Sequence, residues 1–196
     1  KVIFDRRSVL KSLLVDRQDL LLVAGLGASA WDITAAGDSD LNLPLWGGMG
    51  GAVMVGLGLA LAQPSRPVLV VTGDGEMLMG LGSLATVAVS NPRNLSILVL
   101  DNERYGETGM QKTHTSYTTN LVDVAKSCGF SETLELCTEQ SMQFFRKRIH
   151  KKSELVFGLI KVSDQEAKLA LPPRDGAVLI NRFRVKLLGS NANYKN

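Results

Sequence analysis

The hydrophobic pattern alternates between two periods along the chain. Arg6 to Asp16 places Val9, Leu10, Leu13 and Leu14 on one stripe at helical spacing. Leu20 to Ala24 is a short apolar run that stops at glycine and predicts a buried strand. Ala28 to Ala36 then predicts a helix, ended by Gly37. Leu41 to Trp46 predicts an extended segment whose Pro44 suits a sheet edge or a strand end. Gly50 to Gln63 predicts a helix stopped by Pro64, Pro67 to Thr72 a β-branched strand, and Glu76 to Ser90 a further helix.

The same alternation continues to residue 162. Leu95 to Leu100 predicts a buried strand and residues 102–119 a polar loop. A short helix follows over Leu121 to Ser127, a strand over Glu132 to Leu136, a helix over Glu139 to Lys151 and a strand over Leu155 to Val162. Strands separated by helices imply an α/β fold, an open and mostly parallel sheet with helices on both faces. Residues 1–163 are expected to form that domain. Residues 164–196 are expected to be a C-terminal arm, partly extended from Pro172-Pro173 onward.

Composition narrows the class. The chain has 196 residues, 45% hydrophobic and 21% charged, which suits one globular domain and excludes a disordered polyelectrolyte. A net charge of +3 is too mild for a nucleic-acid surface. The basic run Arg146-Lys147-Arg148 with Lys151-Lys152 suits a solvated helix face. Leu41 to Ala62 carries no charge, yet six glycines and a proline interrupt it, so a buried helix is expected rather than a membrane span. Two cysteines, Cys128 and Cys137, lack metal-site spacing and suit a reducing, cytoplasmic setting. The first residues, Lys1 to Asp5, do not resemble a secretory leader, and the absence of an initiator Met suggests a processed start.

Glycine is the unusual figure, 19 residues without a repeat. In open parallel sheets ligands bind at the carboxyl ends of strands, and the glycines gather there. Gly25-Leu26-Gly27-Ala28-Ser29-Ala30 fits a dinucleotide fingerprint. No acid stands at the end of the next strand, so a tight strand-to-helix turn is the expected reading. Gly73-Asp74-Gly75 directly follows a strand and opens a helix. Its glycines admit a ligand close to the backbone, and the helix start offers free N–H groups to a phosphate. Asp74 beside such a phosphate makes a magnesium arrangement. Asn102 follows 27 residues after Gly75, at the end of the next strand, and an amide oxygen is a suitable ligand for the same hard cation.

Strand, Gly-Asp-Gly, helix, strand and asparagine together resemble the diphosphate-binding domain of the thiamine diphosphate enzymes. The resemblance implies that the side chains of Asp74 and Asn102 and the backbone carbonyl of Arg104 bind Mg²⁺. It implies that N–H groups near Gly75 and Glu76, beside Gly73, hold the diphosphate. It also gives a role to Gly47-Gly48-Met49-Gly50: Met49 wedges the cofactor into a V, and the carbonyl of Gly47 accepts from its pyrimidine amino group. Gly48 and Gly50 then frame the cofactor. The bent form brings that amino group to the carbon it deprotonates.

Gly82 to Thr86 and Tyr105-Gly106-Glu107-Thr108-Gly109-Met110-Gln111 are similar to the sulfopyruvate decarboxylase β-subunit and phosphonopyruvate decarboxylase group. That group tends to carry Ser at position 107 and Pro at 112, where this chain has Glu107 and Lys112, and it keeps Gln111 and Thr113. Tyr105 and Gly106 are expected beside the cofactor. His114 and, more weakly, Glu107 are candidates for proton transfer. Lys112 and Arg104 could pair with an anionic substrate.

The implied activity is Mg²⁺-dependent, non-oxidative decarboxylation of an acidic 2-oxoacid such as sulfopyruvate. One domain leaves no room for the glutamate that drives the pyrimidine tautomer. The resemblance therefore implies a pyrimidine-binding α subunit that supplies it, in a hetero-oligomer with pairs of each chain, and no nucleic acid or membrane partner. Phosphonopyruvate decarboxylase or carboligase subunits, a noncatalytic subunit of the same fold, an oxidoreductase β chain and a nicotinamide-binding module are the alternatives.

Overall fold

The computed structural model describes residues 3–193 apart from Glu166. The reading of the first residues as lacking a leader rests partly on Lys1 and Val2, outside that range. The elements run α1 (Arg6–Leu13), β1 (Leu21–Ala24), α2 (Ala28–Ala36), β2 (Asn42–Pro44), α3 (Ala52–Ala62), β3 (Val68–Gly73), α4 (Asp74–Met79) and α5 (Ser83–Ser90). They continue with β4 (Leu95–Asp101), β5 (Arg104–Tyr105), β6 (Gln111–Lys112), α6 (Leu121–Cys128), β7 (Glu132–Glu135), α7 (Glu139–Lys151), β8 (Val156–Lys161) and α8 (Gly176–Leu188).

Six strands form one sheet in the order β2-β1-β3-β4-β8-β7, and every pairing in it is parallel. The central strands are continuous apolar runs because both of their faces are covered. One face packs α3, α5 and α6 through Leu57, Val87, Leu121 and their neighbours. The other packs α1, α2 and α7 through Leu10, Ile33 and Phe145. Each fully buried Leu or Phe contributes about 1.5–3 kcal/mol. Pro44 sits on edge strand β2, where its missing N–H leaves no gap in the ladder.

Small residues set how closely the layers meet. A Cβ on Gly56 would lie 2.1 Å from a methyl of Val70, so α3 rides directly on β3. That contact brings the Gly47–Gly51 segment toward the carboxyl end of β3. Likewise Gly158 lies under the ring of Phe145, 2.8 Å from where its Cβ would be.

Three expectations are corrected. The helix expected over Glu76 to Ser90 is two helices, α4 and α5, and the first begins at Asp74 rather than Glu76. The break falls at Gly80, where a Cβ would lie 2.2 Å from the carbonyl of Gly50. Backbone-to-backbone contact there leaves no room for a side chain. The loop over 102–119 contains a hairpin, β5 with β6, and two 3₁₀ turns. The chain after Pro173 is helical rather than extended: α8 is capped by Asp175, which accepts from the N–H groups of Ala177 and Val178. Its apolar residues surround the helix, and only Leu179 and Phe183 are buried, so no clean stripe marked it. Arg182 binds Asp38 through both terminal nitrogens and holds α8 beside the sheet edge.

Candidate functional site

Strands β1, β3 and β4 are adjacent and parallel, so the segments after them meet at one edge of the sheet. A cavity of about 460 Å³ opens there, a size suited to a small ligand or cofactor. Gly73, Asp74, Gly75 and Glu76 line it from the end of β3 and the start of α4, and Met49 from the segment before α3. Asn102, Arg104, Tyr105, Gly106 and Glu107 line it from the loop after β4.

Asp74 is 1% exposed. Its Oδ2 accepts from the Thr113 hydroxyl at 2.5 Å and from Thr115 at 3.3 Å. The backbone N–H of Asn102 also lies near its carboxylate and favours the charged form. Burial, and then the nearby Asp101 carboxylate, push the Asp74 carboxyl up to about 6. Asp101 is buried as well, but Lys161 Nζ reaches its Oδ2 at 2.7 Å. Of these two carboxylates, only Asp101 has an ion pair with a cationic side chain among the described residues.

The Asn102 side-chain oxygen accepts from the Arg104 N–H at 3.0 Å, which bends the chain into β5. The Tyr105 ring lies against Gly75, 2.6 Å from where a Cβ would be, with the Met49 methyl close by. Any side chain at position 75 would displace that ring.

Glu76 is a site residue through its side chain too, which the sequence reading missed. It is 4% exposed, Thr72 donates to its Oε2 at 2.8 Å, and burial raises its pKa. The backbone N–H groups of Gly50, Ala52 and Leu26 face the same carboxylate. A Cβ on Gly25 would fall 1.4 Å from Oε2, so any side chain there would force the Glu76 carboxylate to move. Its Oε1 has no hydrogen-bond partner among the described residues, and Glu76 is a buried carboxylate where the ends of β1 and β3 approach the segment before α3.

The β1–α2 turn, expected to be only a tight turn, also lines the cavity through Leu26, Ala28 and Ser29. Glu107 lies over Gly27, the residue that opens α2, with Oε1 2.6 Å from where a Cβ would be. No sequence signal beyond Gly-x-Gly marked that turn. Arg6 and Arg7 close another wall, and each Nε lies 3.1 Å from an oxygen of the buried Asp32.

Other expected residues lie outside the cavity lining. Gly47 and Gly48 are exposed beside Met49, Gly50 packs on Gly80, and His114 is exposed at the start of a 3₁₀ turn. Residues 164, 165, 167 and 169 of the C-terminal segment line the cavity, and Trp46 Nε1 donates to the Pro173 carbonyl at 2.9 Å. Among the described residues no cluster of three His, Cys, Asp or Glu side chains could hold a metal. A cation here would therefore rest on one carboxylate with amide and carbonyl oxygens. No helix among the described residues is long and apolar enough to cross a membrane.

Residues 27–156 match the thiamine pyrophosphate enzyme family, C-terminal TPP binding domain, and the chain belongs to that family. Within it, the chain is 36% identical over 169 residues to the sulfopyruvate decarboxylase subunit beta of Methanocaldococcus jannaschii, covering 83% of this chain and 86% of that one. It is 43% identical over 134 residues to the phosphonopyruvate decarboxylase of Streptomyces viridochromogenes, covering 68% of this chain and 33% of that protein. The fold is shared with the crystal structure of benzoylformate decarboxylase from Polynucleobacter necessarius, with a TM-score of 0.71 at 17% identity over 83% of this chain and 34% of that one.

Proposed function

We propose that this chain is the β subunit of a two-subunit enzyme that decarboxylates an acidic 2-oxoacid such as sulfopyruvate, using thiamine diphosphate and Mg²⁺. The observation that carries the reading is the buried Asp74, without a cationic partner among the described residues, beside Asn102 on a cavity of about 460 Å³. The residues present fit the group. One carboxylate, one amide oxygen and the Arg104 carbonyl make the all-oxygen set a hard cation prefers. Backbone N–H groups of Gly75 and Glu76 are placed for the diphosphate, with Gly73 and Gly106 leaving the backbone approachable. Ala28 and Ser29, at the start of α2, add a second wall for the anion.

When bound, the thiazolium ring supplies a carbanion and an electron sink for the loss of carbon dioxide. The chain's own residues orient, shield and move protons. Met49 would support the cofactor from the cavity wall, Tyr105 backs Gly75, and the Gly47 carbonyl would accept from the pyrimidine amino group. Gly48 and Gly50 shape that segment. Glu107 lines the cavity and would carry the proton for the product, while His114, exposed outside the lining, would act only if the partner brought the substrate to it. Arg104 and Lys112 favour an acidic substrate tail.

The exposed Gly47 and Gly48 leave the Met49 side of the cavity open. A pyrimidine-binding α subunit closes it and supplies the catalytic glutamate, in a hetero-oligomer with pairs of each chain. Both cysteines are free, which supports a cytoplasmic setting. The 43% identity to a phosphonopyruvate decarboxylase favours phosphonopyruvate as the second candidate substrate.

The test is calorimetric titration of thiamine diphosphate into the assembled enzyme with and without Mg²⁺, followed by product analysis with a panel of 2-oxoacids. Mg²⁺-dependent binding that Asp74→Ala abolishes is expected. Binding that ignores Mg²⁺, or an active Asp74→Ala variant, would overturn the reading.

A further inference from the structure

The loop over 106–112 is exposed, but the two threonines that follow it are not. Thr113 is fully buried and Thr115 is 9% exposed. Their hydroxyls lie 2.9 Å apart between the two buried carboxylates. Thr113 reaches Asp74 Oδ2 at 2.5 Å, and Thr115 reaches Asp101 Oδ1 at 2.8 Å and Asp74 Oδ2 at 3.3 Å. The backbone N–H of Thr113 is itself fixed, donating to the Glu103 carbonyl at 3.0 Å.

We infer that Thr113 and Thr115 are positioning residues that set the Asp74 carboxylate for a divalent cation and fasten the loop over 104–113 to that ligand. The inference rests on the cofactor reading above and goes beyond it, because it assigns residues that would touch neither metal nor cofactor.

Proton counting supports it. Two hydroxyls carry two protons, and the shortest contacts assign one to Asp74 and one to Asp101. Asp101 is otherwise complete, with Lys161 on Oδ2 and the Glu103 N–H on Oδ1. Asp74 receives neutral donors instead. A hydroxyl fixes the rotation of a carboxylate without cancelling its charge, so the attraction for a cation survives. With Oδ2 held, Oδ1 is the oxygen left to bind metal. Threonine suits the task because its branched Cβ restricts χ1. Partners that hold a ligand in this way typically change metal affinity by about 10–100-fold when removed.

The loop also carries Tyr105, Gly106 and Glu107 along the cavity wall. Its return strand, β6, leads directly into Thr113. A loosened Thr113 therefore releases both the metal ligand and that wall.

The test uses the chain assembled with its partner subunit and reads binding rather than turnover. The Mg²⁺ concentration that half-saturates thiamine diphosphate binding is measured by calorimetry, or by fluorescence of Trp31 on the cavity wall. Thr113→Val is expected to raise it by about tenfold or more, and Thr113→Ser to stay within about threefold of wild type. Trypsin should cut faster after Lys112 in the valine variant alone. An unchanged Mg²⁺ requirement in Thr113→Val overturns the inference. So does an equal loss in the valine and serine variants, which would assign the effect to any change of shape at a tightly packed site rather than to loss of the hydroxyl. Should Thr113→Val not fold, Thr115→Val carries the test, with a rise of about threefold expected and no rise refuting it. Wild type that binds no cofactor with Mg²⁺ defeats the functional reading itself, a result distinguishable from all of these.

Discussion

Replacing Asp74 with Asn should stabilise the metal-free chain while destroying its cofactor site. The Asp74 carboxyl is raised from 3.8 to about 6, first by burial and then by Asp101. At about 1.4 kcal/mol for each pH unit, ionisation at neutral pH opposes folding by about 3 kcal/mol. The sign follows from the order of ionisation. Well below pH 4 the group is neutral in both states. As pH rises from about 4 to about 6 the unfolded chain gives up its proton first, so the folded state loses stability until it too ionises above about 6. Asn carries no such penalty, but its amide reproduces the donor contacts of Thr113 and Asn102 imperfectly, at about 1 kcal/mol. The net gain is about 2 kcal/mol, or about 4–8 °C in Tm for a chain of this length. Thermal unfolding of both proteins in a chelator, from pH 4 to pH 8, is the assay. The two curves should nearly coincide at pH 4, separate up to about pH 6 and run parallel above pH 7. A variant no more stable than wild type at pH 8, or a gap that does not grow with pH, would refute the reasoning.

Other expectations follow from contacts in the same structure. Gly25→Ala places a methyl carbon 1.4 Å from Glu76 Oε2 and must break the Thr72 contact. A loss of about 1–3 kcal/mol in denaturant unfolding is expected, with weaker cofactor binding. Met49→Ala should lower kcat by about tenfold or more while cofactor binding falls less, since small misplacements of reacting groups are severe; equal losses in both would point to packing alone. Phe183→Ala removes one of the two buried anchors of α8. Hydrogen exchange should rise across α8 and leave the central strands protected, and uniform loss of protection would contradict a separately anchored arm.

Legibility differed by the kind of information each feature needs. The buried strands could be read because β1, β3, β4 and β8 are runs too apolar for anything but a two-sided sheet. Asp74 and Asn102 could be read because a strand, a helix and a strand of fixed spacing bring them to one edge. Glu76 could not, because it also looks like an ordinary helix residue, and only the approach of Gly25, Gly50 and Leu26 makes it a buried junction. The α4–α5 break was hidden for the same reason. Gly80 in a helical pattern is unremarkable until the Gly50 carbonyl is seen against it.

By itself the sequence determined the alternation of elements, the parallel sheet and the edge where glycines and polar residues collect. These follow from side-chain periodicity and from local backbone preference, both properties of neighbours along the chain. Only the tertiary structure decided that Lys161 and the Thr115 hydroxyl go to Asp101 while Asp74 takes the Thr113 hydroxyl. It also brought the C-terminal segment onto the cavity and left His114 outside its lining. The Thr113 and Lys161 contacts join residues 39 and 60 positions apart, and packing of layers, not local pattern, sets such distances.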